Sequence, residues 1–189
     1  MKIAVSGSSS TGKTTLAKAL AGRFSAAFIA EGFEALFNPP GTRQAPRPEV
    51  LVELFNEVLE RKRAAEEAEA SFVADRCPLD LLNLWLHRGL QRNQAASDAF
   101  CRRCREYTAA YDYVVFPAWA TVPLLPVENP GAHRRRVLNP WVQLENHAAI
   151  LGLAHLFLPA ERIIVLPAGL ADAAQRLDFI LRRLDVTAL

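Results

Sequence analysis

The apolar positions of this chain fall into two patterns. Short runs without polar alternation cover residues 2–6, 26–30, 71–75, 113–116 and 162–166, which is how parallel strands covered on both faces read. Between them the spacing changes to that of helices. Residues 13–24 carry Leu16-Ala17-Lys18-Ala19-Leu20, and Leu51, Leu54, Phe55, Val58 and Leu59 repeat at i, i+3, i+4, i+7 and i+8. The charged stretch 61–69 is expected to be the solvated end of that second helix. Further helices are predicted from Pro78 to about Gly89, over about 95–110, over 141–157 and over 170–184. On the last, Leu170, Ala174, Leu177, Leu181 and Leu184 form one stripe, and Asp172/Arg176 and Asp178/Arg182 are expected to pair on the exposed side. Strands alternating with helices in this way predict a three-layer α/β domain with a five-stranded parallel sheet and helices on both faces.

Two stretches interrupt the alternation. Residues 38–48 contain four prolines and two arginines and are predicted to be a loop. Residues 118–140 hold prolines at 123, 126, 130 and 140 and the cluster His133-Arg134-Arg135-Arg136, and are predicted to be a mobile insertion. At 189 residues the chain suits one domain, 1–189.

The first strand opens into Ser6-Gly7-Ser8-Ser9-Ser10-Thr11-Gly12-Lys13-Thr14-Thr15. Gly7, Gly12, Lys13 and Thr14 meet every fixed position of G-x-x-x-x-G-K-[ST], the Walker A phosphate-binding loop, in the strand–loop–helix setting that the motif needs. Glycine lets the backbone turn its N–H groups toward a pyrophosphate, and the following helix adds its positive end. The candidate nucleotide-binding residues are therefore Gly7, Ser8, Ser9, Ser10, Thr11, Gly12, Lys13, Thr14 and Thr15. Lys13 supplies a charge to the β- and γ-phosphates, and the Thr14 hydroxyl is placed to ligate Mg²⁺.

In an open α/β sheet the ligands sit beyond the carboxyl ends of the strands, so the residues that end the neighbouring strands are the next candidates. Phe72-Val73-Ala74-Asp75 has the Walker B form, an apolar strand ending in an acid, which assigns Asp75 to Mg²⁺ with Thr14. Glu31, after the second strand, is the candidate to contact a second substrate and to accept a hydroxyl proton. Arg76 is a candidate substrate-binding residue, with a structural ion pair as the competing role. Asp80 reads as a helix N-terminal charge. The insertion is where a closing lid would carry arginines to the transferring phosphoryl group, and Arg134 and Arg136 are the catalytic candidates there.

Composition narrows the setting. No apolar run approaches the length of a membrane span, and the N-terminus enters a strand without a basic or apolar leader, so a cytoplasmic protein is expected. The net charge of +2 is small and its basic residues are interleaved with acids, which makes a nucleic-acid partner unlikely. Cys77, Cys101 and Cys104 lack a second Cys/His pair at ligand spacing and are expected to be structural thiols. The four histidines, 87, 133, 147 and 155, show no metal spacing, and His147 and His155, two helical turns apart, are expected to be ordinary helix residues.

These residues together resemble the P-loop kinases and ATPases that include the nicotinamide-riboside kinase domain and, more distantly, the deoxynucleoside and nucleoside-monophosphate kinases. The resemblance rests on residues 6–17, Glu31, Asp75-Arg76 with Asp80, Tyr111-Asp112, and the arginine insertion before a long helix. It implies strand order 2-3-1-4-5, a lid arginine, and an adenine contact at Leu166-Pro167-Ala168-Gly169. Gly131-Ala132-His133-Arg134 departs from the acid-Gly-x-Arg form of the group's lid. The function expected is Mg-ATP-dependent phosphoryl transfer to a small hydroxylated acceptor, a nucleoside or ribosyl compound, held between Glu31, loop 38–48 and Arg76. The alternative is an NTPase or nucleotide-dependent switch acting on a protein partner. A homodimer is left open.

Overall fold

The computed structural model describes residues 1–33, 36, 46–119, 139–170 and 172–185. Five strands, β1 (Lys2–Val5), β2 (Ala27–Ile29), β3 (Phe72–Asp75), β4 (Tyr113–Phe116) and β5 (Ile163–Val165), form one parallel sheet in the order β2-β3-β1-β4-β5. Among the described residues the main helices are α1 (Lys13–Phe24), α2 (Pro48–Glu67), α3 (Pro78–His87), α4 (Gln94–Thr108), α5 (Pro140–Phe157) and α6 (Ala173–Asp185). This is the expected architecture and strand order. The proposed lid, 118–140, and the acceptor-side loop, 38–48, fall largely outside the described residues, and Arg134 and Arg136 fall wholly outside them.

The sheet separates two apolar layers. Ile3, Val5, Val73, Val115 and Ile164 face Leu16, Leu20, Ile180 and Leu184 from α1 and α6. Ala4, Phe72, Ala74, Val114 and Phe116 face Leu79, Ile150 and Ala154 from α3 and α5. A third cluster joins α2, α3 and α4, where the Trp85 ring stacks on Phe100 at 4.4 Å and meets Phe55 edge-on at 5.4 Å. Leu51, Phe55, Val58 and Leu59 of the predicted stripe are all buried there. Cys77 and Cys104 are buried and Cys101 is half-buried.

Two charged readings change. The 61–69 stretch is not wholly solvated, because Lys62 and Glu66 are buried as an i,i+4 pair at 3.4 Å and Tyr111 donates to Glu66 at 2.8 Å. Arg176 does not lie on the exposed side of α6. It is 3% exposed and donates to the backbone carbonyls of Leu170 and Thr11, both at 2.6 Å. Helix α6 also starts later than the leucine stripe suggests, at Ala173, where the Asp172 carboxylate accepts from the N–H groups of Ala174 and Gln175. The Asp178–Arg182 pair is exposed, as its spacing predicts. No helix among the described residues is long and apolar enough to cross a membrane.

Candidate active site

The chain runs from β1 outward to β2, returns to β3, and then crosses to β4 and β5, so the order reverses at β1. The loop that follows β1 therefore opens into the crevice where such sheets bind ligands. Its backbone departs from the ordinary regions at Gly7 (φ +114), Ser10 (φ +60) and Gly12 (φ +81), the last capping α1. A Cβ on Gly7 would meet Phe116 and His147 only at ordinary contact distances of 3.6 and 3.8 Å, so the backbone angle rather than crowding calls for glycine.

Side chains from three other elements hold this loop. Gln143 of α5 donates to the Ser9 carbonyl at 3.1 Å, Arg176 of α6 to the Thr11 carbonyl, and Arg76, after β3, to the Gly7 carbonyl at 3.3 Å. Within the loop the Ser8 carbonyl accepts from Thr11 Oγ1 at 3.1 Å and from Lys13 Nζ. Ser8 Oγ is itself buried with no hydrogen-bond partner among the described residues.

Lys13 is enclosed. Burial, and then the neighbouring Arg76 charge, lower its pKa to about 7 against the opposing pull of Asp80, Asp75 and Glu31. A phosphate dianion against Nζ would restore the charged form, so binding is linked to proton uptake. In titration calorimetry at pH 8, repeated in buffers of different ionisation enthalpy, a nucleotide triphosphate is expected to take up a substantial fraction of one proton. Affinity should weaken as pH rises from about 7 toward 9, and Lys13→Met should remove that component.

The strand ends carry the remaining groups. Thr14 Oγ1 donates to Asp75 Oδ2 at 2.5 Å, which sets a hydroxyl and a carboxylate side by side at the start of α1. Beyond β2, Glu31 Oε1 lies 3.1 Å from Arg76 Nε, and Arg76 Nη1 donates to Asp80 Oδ1 at 2.8 Å. Burial opposes the guanidinium charge, but Asp80, Glu31 and Asp75 together hold its pKa above the ordinary value. Arg76 takes φ +66, the left-handed region, unusual for a residue with a side chain.

Asp80 is more than a helix-end charge. One carboxylate oxygen accepts from Ser6 Oγ at 2.6 Å and the Cys77 N–H at 3.0 Å, and the other from Arg76 and the Gly7 N–H at 3.3 Å. It thus caps α3, anchors the start of the phosphate loop and neutralises Arg76. Asp80→Ala leaves Arg76 short of a buried counter-charge and is expected to destabilise the fold by about 3 kcal/mol. Thermal or urea denaturation reads that loss, which Asp80→Asn should reduce but not abolish.

Beside the loop lies a cavity of about 230 Å³. Ser8, Ser9, Glu31, Arg76 and Asp80 line it, and it continues between Phe33, Leu84, Val142 and Ile150. In its wall the Asn83 amide of α3 donates to Asn146 Oδ1 of α5 at 2.7 Å. His147 of α5 is a buried helix residue. It is 8% exposed, edge-on to Phe116 across from Gly7, with burial lowering its pKa and Nδ1 unpartnered among the described residues.

The structure thus brings Gly7–Thr15, Glu31, Asp75 and Arg76 to one crevice. Sequence reasoning undervalued Asp80 and missed the contacts of Gln143 and Arg176 with the loop. For Asp80 a signal existed in its position in the first turn of α3, four residues after Arg76; the other two come from distant helices and left none.

This loop and sheet define a P-loop nucleotide-binding α/β protein. A family model described as an AAA domain (AAA_28) matches residues 2–148, and the chain belongs to that family. No curated protein matches the sequence at a significant level. Among solved structures the fold is shared with the deoxyadenosine kinase of M. mycoides, with bound dCMP and a flexible dCDP (TM-score 0.64, 13% identity, covering 98% of this chain and 100% of that one). It is shared also with the NadR protein in complex with NR (TM-score 0.58, 16% identity, 93% of this chain and 50% of that one). A third is the thymidylate kinase of Candida albicans (TM-score 0.56, 12% identity, 98% and 91%). At these identities the likeness is one of fold alone.

Proposed function

We propose that this protein transfers the γ-phosphoryl group of ATP, with Mg²⁺, to a hydroxyl of a small acceptor seated in the cavity beside the phosphate loop. The observation that carries this reading is the cavity itself: Glu31 and Arg76 line it together with Ser8 and Ser9 of the phosphate loop, and Phe33, Leu84, Val142 and Ile150 share its wall with Asn83, His87 and Asn146. A second small molecule bound there would present a hydroxyl to the nucleotide. Hydrolysis alone needs no such chamber.

In this reading Gly7 to Thr15 bind the phosphates, and Lys13 neutralises charge as it passes to the leaving oxygens. The hydroxyl of Thr14 and the carboxylate of Asp75 are the hard oxygen donors that suit Mg²⁺. They would hold the ion, Asp75 directly or through water, and the ion would offset charge on the β- and γ-phosphates. Glu31 accepts the acceptor's hydroxyl proton, and Arg76 fixes Glu31 and binds the acceptor. Arg134 and Arg136 are assigned to the transferring group from their sequence setting, as lid residues of a single domain spanning 1–189. The work is positioning and charge neutralisation, which is what phosphoryl transfer chiefly requires.

The fold-level likeness to proteins whose structures hold NR or deoxynucleotides makes nucleosides and ribosyl compounds the first acceptors to try. Such a kinase would work in the cytoplasm, where ATP is supplied. A panel of nucleosides and vitamin-like alcohols with Mg-ATP, read by ADP release and mass spectrometry, is expected to yield one phosphorylated class. ADP release at the same rate with every acceptor and with none contradicts the reading.

The AAA description of the family favours a second reading, ATP hydrolysis coupled to a protein partner. It predicts turnover that rises with a macromolecule and is indifferent to deletions within loop 38–48.

A further inference from the structure

Lys62 of α2 is remote in sequence from every motif above, and it is buried, its side chain 2% exposed. Its ammonium meets three acceptors: the Asp75 carbonyl at 3.2 Å, the Ala30 carbonyl at 3.4 Å and Glu66 Oε1 at 3.4 Å. Two of its N–H donors go to the carbonyls, and Glu66 pairs its charge. The two carbonyls belong to the peptide bonds that lead into Arg76 and into Glu31. Those are the two residues that pair across the crevice at 3.1 Å.

We propose that Lys62 is a positioning residue of the active site. It draws together the ends of β2 and β3 so that Glu31 and Arg76 leave their strands in register with each other. Arg76 departs with φ +66, an angle a residue with a side chain adopts only where its surroundings impose it. The peptide group that enters that turn is held at both edges, its Arg76 N–H donating to the Val5 carbonyl at 2.9 Å and its Asp75 carbonyl accepting from Lys62. Asp75 is tied twice, through its carboxylate to Thr14 and through its carbonyl to Lys62. Glu66 keeps the ammonium charge-balanced, and the Tyr111 hydroxyl holds Glu66 at 3.0 and 2.8 Å from its two oxygens. The assembly is therefore a relay from the buried face of α2 to the backbone of the acceptor side. Lys62 itself bonds to no residue of 7–15 and reaches that loop only through the Asp75–Thr14 and Arg76–Gly7 contacts.

An arginine at 62 keeps the charge but not the geometry, since a planar fork does not converge on three acceptors around one point. That the Glu31–Arg76 pair serves the acceptor rests on the kinase reading; that Lys62 sets the pair does not.

The experiment uses Lys62→Met and, because that change strands Glu66, the double variant Lys62→Met/Glu66→Gln. Crystal structures are expected to show Arg76 relaxed out of the left-handed region and its contact with Glu31 broken. Affinity for a non-hydrolysable ATP analogue should fall far less than kcat, because Lys62 reaches the phosphate loop only through the Asp75–Thr14 and Arg76–Gly7 contacts. With the acceptor found in the panel, kcat should fall roughly 10²-fold, the scale of a small misplacement of reacting groups, and Lys62→Arg should recover only part of it. A double variant that folds, keeps Arg76 and Glu31 in place and transfers at the parental rate overturns the proposal. If no acceptor is ever phosphorylated, the kinase reading fails, while the crystal structures still decide the role of Lys62.

Discussion

Lys13→Met is expected to lower phosphoryl transfer by about 10³-fold or more, roughly 4 kcal/mol of barrier. Methionine matches lysine in length and keeps the apolar stem, so the loop retains its packing while the charge disappears. That charge is enclosed among Arg76, Asp80, Asp75 and Glu31, with a pKa near 7, and water cannot easily replace it there. The same enclosure gives the variant a second signature. A buried ammonium is costly in the ligand-free protein, so Lys13→Met should melt no lower than the parent without nucleotide. It should then lose the stabilisation that nucleotide gives the parent. Thermal melts with and without ATP, set beside kcat/KM, read both effects.

Glu31→Gln is the second large effect, with kcat expected to fall about 10²- to 10³-fold. Glutamine is nearly isosteric but accepts no proton, and it leaves the Arg76 charge to Asp80 and Asp75. Nucleotide affinity should hold within about twofold, because Glu31 stands on the acceptor side of the loop rather than among its N–H groups. An equal loss of ATP affinity would move Glu31 out of the acceptor site and into the phosphate site. In the proposed reaction Lys13 would act on the nucleotide and Glu31 on the acceptor's hydroxyl.

Much of the fold was legible because parallel strands buried on both faces leave unbroken apolar runs, and each of the five runs became a strand within a residue or two. The phosphate loop was legible because its chemistry constrains glycine, lysine and threonine at fixed spacing. The strand-end residues Glu31, Asp75 and Arg76 were legible from topology, since a parallel sheet brings its carboxyl ends to one edge. What escaped is what depends on helix rotation. The stripe on α6 marked its apolar face, but nothing in the sequence said that Arg176 would reach back to Thr11. Lys62 and Glu66 lie in a run of charges that reads as solvated, and only the packing of α2 against the strand ends encloses them. Asp80 looked like a first-turn acid, and it is one, but the loop before α3 also lays it against Ser6 and Gly7.

The most direct test of the central claim follows the γ-phosphoryl group itself. With Mg-ATP and the acceptor from the panel in ¹⁸O-water, the account predicts one phosphorylated acceptor per ADP formed. That product should carry no solvent oxygen in the transferred group. Inorganic phosphate bearing solvent ¹⁸O with every ADP, and an acceptor left unchanged, would contradict it.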